Sequence, residues 1–540
     1  MVGWLGSGVE SYTMTAYRLP FTAYRLRLLA ITWLTAVFRM HSLFANSFHA
    51  DEALFAGWAR LIAVWRDPLL MTAQVDKPPL LFYLQAFFFP LQGPVEWAAR
   101  LPNFIASILL IPLVAVWVRR WWGEEETAVL AALFVAISPL HIQFSATGFT
   151  DPLLTTLLVG AIAIGGGNKK QKTGNGKRET GCDQQLTINS QQLIIYSGLL
   201  FVLAGATKHQ AWLFLPLVVG TAVLFQWRWW EWRRWLVGFL PVLLLVWGWE
   251  FARTGTFTLW SRQISNFGGL RIIWSWELWP RLQSWWGLIR MIWGWGITTV
   301  FLLTIPIWLI RNYWTRKYAE DAEIKKKSTK SLINYSFDWL LGCFVLGYFL
   351  LHWFLAVPVW DRYLLPLVPI LAVLAARSLV GLVSIFNAEV QRRGGFFFAS
   401  LHLCVYILFV GALLVQGWWG RNGRFPIGGQ VDADQGAAMV AEWLDDAPYG
   451  TVLYDHWYSW QWNYHLFDKR VFVHWFPYPD ALAEDLTAFG RDGNPRYLVV
   501  PDADVAIPVR RAVQSSGFRL ETVPLLSESG MILYRIVPEN

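Results

Sequence analysis

Long apolar runs recur through most of this chain, separated by short loops in which the charged residues collect. A helical crossing of a bilayer needs about 20 mostly apolar residues, and windowed hydrophobicity predicts about eleven such helices. They fall near 26–46, 98–118, 127–145, 152–167, 193–207, 211–226, 235–251, 286–310, 337–355, 363–386 and 396–417. From about residue 427 the texture changes to short β-rich runs, TVLYD, RVFVHW, RYLVVP and GMILYRIVP. Stretches of helical spacing separate them: DQGAAMVAEWLDD, PDALAEDLTAFG and AIPVRRAVQSSG. The expected architecture is a polytopic α-helical membrane domain over 1–420, followed by a small soluble α/β domain over 427–540.

The first loop, 47–97, has a pattern of its own. Leu54, Trp58, Leu61 and Trp65 recur at helical spacing within 51–66, too short to span but able to lie along the interface. A second apolar run, LLFYLQAFFF, follows DKPP, and Pro90 and Pro94 are expected to end it. The loop should therefore contribute two interfacial helices.

Composition agrees with the pattern. Of 540 residues, 55% are hydrophobic and only 15% charged, with mean hydropathy +0.37, outside the range of a soluble domain. The 36 tryptophans gather at segment ends, as at Trp227, Trp229 and Trp230, where an amphipathic ring prefers the headgroup level. A net charge of +8 need not imply nucleic acid, because the Lys and Arg residues lie in short loops between apolar runs. With eleven crossings these basic loops all share one side, which the positive-inside tendency makes cytoplasmic. Segment 168–192, rich in Lys, Gly, Asn and Gln, reads as a solvated cytoplasmic loop. Three cysteines provide no disulfide framework, and no small-residue cleavage site follows the first apolar run.

That orientation turns loop 47–97, the turn at 146–151, Lys208, the loop at 252–285, Asp361–Arg362 and everything after 418 outward. Asp51 and Asp151 are each readable as helix N-caps, Asp151 with Pro152 at the first helical position. Their convergence with Lys77, Arg100, Lys208 and Arg362 at one membrane face supports chemistry as well. Acids orient or deprotonate a hydroxyl, and Lys and Arg hold a phosphate and offset its charge as it departs. Two other readings remain open at this point: a transporter or polyprenyl-lipid flippase, and a non-catalytic scaffold whose C-terminal domain binds a partner. Against transport, the acids lie at helix ends and no inverted repeat is visible.

The ordered motifs HADEALFAGWA, DKPPLLFYL, EWAARLPN, ATGFTDPLL, TKHQAW and DRYLLPLVP resemble, over roughly residues 20–390, the polyprenyl-phosphate-dependent glycosyltransferases of the GT-C membrane fold. The nearest branch contains protein O-mannosyltransferases and the lipid A aminoarabinose transferase. The resemblance implies transfer, with inversion, of a monosaccharide from a polyprenyl-phosphate donor to a hydroxyl of protein, lipid or glycan at the extracytoplasmic face of the cytoplasmic membrane. It makes Asp51 the catalytic acid of the first loop, Glu52 its neighbour in the pair and Asp151 the second acid. Lys77 matches the lysine that binds donor phosphate, Tyr363 an aromatic position beside it, and Arg362 and Lys208 become further phosphate partners. Glu96 and Arg100, four apart on one helix, read as a structural pair. TKHQ departs from the family's Thr-Lys-Gly-Pro, so His209 reads as a plain interfacial histidine, and His49 carries little signal. No His/Asp spacing marks a metal site, although the two acids could bind a divalent cation, since oxygen-ligand sites leave little spacing signature.

Overall fold

The computed structural model describes residues 22–45, 47–166, 190–265, 269–319, 328–393, 396–431, 433–524 and 530–539. The expected basic loop at 168–192 lies almost wholly outside them, as does Cys182.

Each of the eleven apolar runs is occupied by helix. The first part of the chain forms α1 (Ala23–Ala45), α2 (Ala50–Ala63), α3 (Leu80–Gln92), α4 (Glu96–Trp122), α5 (Glu125–Ala136), α6 (Pro139–Ser145) and α7 (Asp151–Gly165). Next come α8 (Ser190–Thr207), α9 (Leu215–Leu224), α10 (Trp229–Thr254), α11 (Leu259–Ser265) and α12 (Leu278–Ile289). The bundle ends with α13 (Trp295–Ala319), α14 (Ser328–Phe354), α15 (Leu367–Arg393) and α16 (Phe396–Arg421). Among the described residues, six helices are long and apolar enough to cross a membrane, or seven counting α5 and α6 as one bent span. The run expected at 286–310 is divided: α12 is a separate amphipathic helix, and the long helix starts at Trp295.

Local chemistry accounts for several boundaries. The α5–α6 pair bends by 61°. Ser138 caps α6, its Oγ accepting from the His141 N–H, and Pro139 takes the first helical position. A break inside an apolar bundle leaves carbonyls without helical partners, and the Arg39 guanidinium on α1 donates to two of them, Val135 O (3.4 Å) and Ala136 O (3.2 Å). In the first loop both predicted helices form, but α3 continues through Pro90 to Gln92. Proline removes only its own N–H, and the helix closes just afterwards at Gly93, φ 85°.

The C-terminal unit adds α17 (Ala437–Trp443), β1 (Thr451–Asp455), α18 (Ser459–His465), β2 (Val471–Trp475) and α19 (Pro479–Phe489). It then completes β3 (Arg496–Val500), α20 (Ala506–Ser515), β4 (Phe518–Thr522) and β5 (Ile532–Pro538). The sheet order is β2-β1-β3-β5-β4, with the first three strands parallel and β5 antiparallel to both its neighbours. Its helix α18 packs on α2: Arg60 Nη1 donates to Tyr464 O (3.0 Å), Arg60 pairs with Asp468, and the Tyr464 ring meets Phe48 edge-on at 5.0 Å. The first-loop helix is thus not a free interfacial helix. Ala53, Phe55, Ala56, Trp58, Ala59 and Ile62 are buried, and Trp65 has left the helix with φ 56°.

The tightest crossing in the bundle is between α8 and α10. A Cβ on Gly198 would sit 2.0 Å from Trp235 O, and one on Gly238 only 1.9 Å from Ile195 O. Small residues that let backbones meet carry helix association in lipid. Gly238→Ala should therefore destabilise the bundle by about 1–3 kcal/mol, seen as a lower unfolding temperature of the detergent-solubilised protein. An unchanged unfolding temperature would mean that the crossing is looser than this.

Candidate active site

The first loop is set by its second acid. Glu52 is fully buried, and each of its oxygens accepts twice. Oε1 takes Arg100 Nε (3.1 Å) and the Gly148 N–H (2.5 Å), while Oε2 takes the His49 N–H (3.1 Å) and Arg100 Nη2 (3.4 Å). A carboxylate has about four acceptor sites, so this one is saturated. Glu52, expected among the catalytic residues, thus fastens the start of α2 to α4 and to the 146–150 turn. Arg100 also donates to Ser47 O (2.9 Å) and pairs with Glu96, its expected partner, at the longer distance of 4.0 Å.

Neither candidate acid is an N-cap. His49 caps α2, its Nδ1 accepting from the Asp51 N–H at 3.2 Å, and Glu52 completes a capping box. A histidine in a position dominated by Ser, Thr and Asp is hard to foresee, and the Asp51 side chain is released for other contacts. Its Oδ2 lies 2.5 Å from Arg362 Nη1, and that guanidinium stacks over Trp360 (4.3 Å) and Phe149 (5.2 Å). Asp151 opens α7 after Thr150, which makes no side-chain cap, and its Oδ1 receives Lys208 Nζ at 2.6 Å. Lys208 in turn lies 4.9 Å over the buried Tyr363 ring. Tyr348 Oη and Gln210 Nε2 both donate to the Tyr363 carbonyl, holding that segment against α14.

Electrostatics ties the two pairs into one site. Burial pushes the Asp51 carboxyl up, but Arg362 outweighs it, with smaller help from His49 and Lys77, and the group stays below its ordinary value. Burial likewise opposes the charge on Arg362, yet Asp51 and then Asp151 hold the guanidinium above its usual value. Lys208 goes the other way. Burial pulls its ammonium down to about 8, Asp151 opposing and Arg362 and Lys77 adding to the fall. Lys77 itself is paired with Asp76, half-buried, on the loop entering α3.

The Asp51–Arg362 and Asp151–Lys208 pairs therefore lie within each other's field, joined by Tyr363, which follows Arg362 in the chain and meets Lys208, with Lys77 acting on both. His209 stacks on Trp260 at 4.6 Å and stands apart from the acids' contacts. Sequence reasoning missed three features. Arg253 Nη1 donates to Ala73 O (3.5 Å) and Arg262 Nη1 to Val75 O (3.4 Å), bracing the loop that carries Lys77. Trp360 supplies the flat face under Arg362. A cavity of about 560 Å³ opens beside Asp51, walled by His49, Phe149, Trp360 and Arg362 and, opposite, by residues 426–430. Among the described residues no group of three His, Cys, Asp or Glu could hold a metal ion.

Comparison with known proteins gives the class first. The solved structure of ArnT from Cupriavidus metallidurans bound to undecaprenyl phosphate is similar over 95% of this chain and 98% of its own, at 14% identity and TM-score 0.55. The apo oligosaccharyltransferase of Archaeoglobus fulgidus covers 90% of this chain and 70% of its own, at 11% identity and TM-score 0.50. The chain has the fold of the GT-C membrane glycosyltransferases. Within that class, residues 76–165 match the family model described as dolichyl-phosphate-mannose-protein mannosyltransferase. "Putative mannosyltransferase YycA" of Bacillus subtilis (strain 168) is 31% identical over 91 residues, or 17% of this chain and 13% of that protein. This chain thus matches only a small part of that relative's length.

The lowered Lys208 predicts a pH effect with opposite signs. The folded protein loses this proton near pH 8, before the unfolded chain does near 10.5, so this group adds stability as pH rises through that window. Over the same window the site loses a cation that a bound phosphate would meet. Affinity for dolichyl phosphate should fall above about pH 8 with no parallel fall in unfolding temperature, and Lys208→Arg should abolish the decline. A flat wild-type binding profile from pH 7 to 10 would contradict it.

Proposed function

We propose that this protein transfers a monosaccharide from a polyprenyl-phosphate carrier to an acceptor hydroxyl at the extracytoplasmic face of the cytoplasmic membrane. The observation that carries this is the meeting of two acid–cation pairs, Asp51–Arg362 and Asp151–Lys208, around Tyr363 and within the field of Lys77. The shorter apolar helices α7, α8 and α9, together with α16, bring the crossings to eleven, and the basic loops then lie opposite the site.

In this reading the resting site neutralises itself. Arg362 holds Asp51 ionised but makes it a poor base. A donor phosphate entering beside Lys77 competes for Arg362 and Lys208, as strong charge-assisted acceptors do. As Arg362 turns to phosphate, Asp51 loses the charge that depressed it and its proton affinity rises. The acceptor oxygen then attacks the anomeric carbon from the face opposite the phosphate. The new C–O bond forms as the C–O bond to phosphate breaks, the acceptor proton passes to Asp51, and the cations take up the charge of the departing polyprenyl phosphate. Asp151 keeps Lys208 in place between turnovers. Each acid already carries a cationic partner, so a divalent cation would have to displace one to bind.

Because His49 caps the helix, Asp51→Asn and Asp51→Ala should both fold. Each should slow transfer by about a hundred- to ten-thousand-fold, while donor affinity rises because Arg362 no longer has a competing partner. Lys77→Ala should weaken donor binding by about 1.5–3 kcal/mol. The measurements are label transfer from dolichyl-phosphate mannose and binding of dolichyl phosphate. Asp51→Asn turning over at close to the normal rate would refute the base assignment.

A further inference from the structure

The cavity beside Asp51 has a wall that does not belong to the helical bundle. Residues 425–431, between α16 and the C-terminal sheet, cross its mouth as a strap. Three ties fix it. The Gln143 side chain pairs with both backbone groups of Phe425, donating to its carbonyl and accepting its N–H, each at 3.1 Å. Asp361 Oδ2 accepts the Gly428 N–H at 2.7 Å, while its Oδ1 accepts the Arg362 N–H at 2.7 Å. One carboxylate therefore places the strap relative to the cation that pairs with Asp51. Beyond the strap, Ser47 Oγ accepts the Asp434 N–H at 3.3 Å. The path needs glycine: Gly429 has φ +79°, and a Cβ there would meet Gln143 O at 2.3 Å.

What this wall presents to the cavity is specific. Gln430 on the strap and Gln435 just after it line the cavity and are solvent-exposed, facing a space that also holds His49, Asp51 and Trp360. Gln435 adopts the left-handed conformation, φ 54°, immediately before Gly436 at φ 95°. A non-glycine residue there costs free energy unless its surroundings require it, and such positions gather at ligand clamps. A side-chain amide both donates and accepts, matching adjacent hydroxyls that do the same. The Trp360 indole lines the same cavity, 37% exposed with Arg362 4.3 Å from its ring centroid, and adds apolar ring surface. Two amides, one ring face and a carboxylate suit a pyranose. A peptide acceptor would ask for an open backbone edge, yet Gly428 has its N–H committed to Asp361.

We propose that the strap is the acceptor-recognition wall and that the acceptor is a saccharide, with its reacting hydroxyl at Asp51, one ring over Trp360 and neighbouring hydroxyls on Gln430 and Gln435. This rests on the transferase reading and adds the class of acceptor. The new bond joins the acceptor saccharide oxygen to the donor anomeric carbon, polyprenyl phosphate leaves, and the proton goes to Asp51, as above. A free glycan and a lipid-anchored glycan share this chemistry.

The test gives the full-length protein in nanodiscs radiolabelled dolichyl-phosphate mannose and three acceptors: mannotriose, mannotriose on a lipid anchor, and a threonine-rich peptide. Label should reach mannotriose in at least one form and not the peptide. Transfer to the anchored form alone identifies a membrane glycolipid, and transfer to both identifies the glycan itself. Gln430→Ala and Gln435→Ala should each raise the KM for mannotriose by about three- to tenfold, the loss of a hydrogen bond, with kcat little moved. Both side chains are exposed, so neither change threatens folding. Label on the peptide, label on neither trisaccharide, or an unmoved KM in both variants would overturn the proposal. Failure of the transferase reading looks different: wild-type protein would neither bind dolichyl phosphate nor release label from the donor, even to water.

Discussion

The contact on which this structure turns joins two residues 311 positions apart, Asp51 at the start of α2 and Arg362 in the turn before α15, at 2.5 Å. A charge beside lipid and largely out of water is costly unless it is paired. Holding both members of this pair, and of Asp151–Lys208 next to it, requires the beginnings of α2 and α7, the turn after α8 and the approach to α15 to meet at one end of the bundle. Glu52 makes that meeting rigid. With both oxygens doubly engaged, it fixes the orientation of α2 against α4 and the 146–150 turn, and so aims its neighbour Asp51 at Arg362.

A site built this way uses its cations twice. In the proposed mechanism they compensate the acids at rest and the phosphate once it is bound, which leaves Asp51 without its partner and able to take a proton. The resting pair also keeps Asp51 ionised and weakly basic until the donor competes for its partner. In the proposed mechanism base strength is thereby coupled to donor occupancy by charge. The C-terminal unit adds rigidity from outside. Its helix α18 covers α2 through Arg60 and Tyr464, and the strap leading to it is tied to Asp361.

Much of this was legible in the sequence, and the boundary of legibility has physical causes. The apolar runs were plain because lipid demands length and hydrophobicity together. The candidate residues Asp51, Asp151, Lys77, Lys208 and Arg362 are readable as charges at the ends of apolar runs. Side-chain assignments within that set were not. Asp51 and Asp151 read equally well as caps, and only the observed contacts show His49 capping α2 and Thr150 leaving α7 without a side-chain cap. Glu52 looked like the twin of Asp51, although its saturation depends on Gly148 and Arg100, which sequence spacing does not bring near. Strand β4, FRLET, alternates apolar and polar side chains over only four residues at the sheet edge, too short a run to stand out. The strap has no periodicity, and its part in the cavity follows from Gln143 and Asp361, far away in the chain.

The most direct test of this account is a structure of the protein with dolichyl phosphate bound, solved alongside the unliganded protein. The account predicts the Asp51–Arg362 pair intact without ligand and opened with it, Arg362 and Lys208 within hydrogen-bond distance of phosphate oxygens and Asp51 facing the cavity beneath Trp360. A phosphate bound elsewhere with Asp51 still gripped by Arg362 would contradict it.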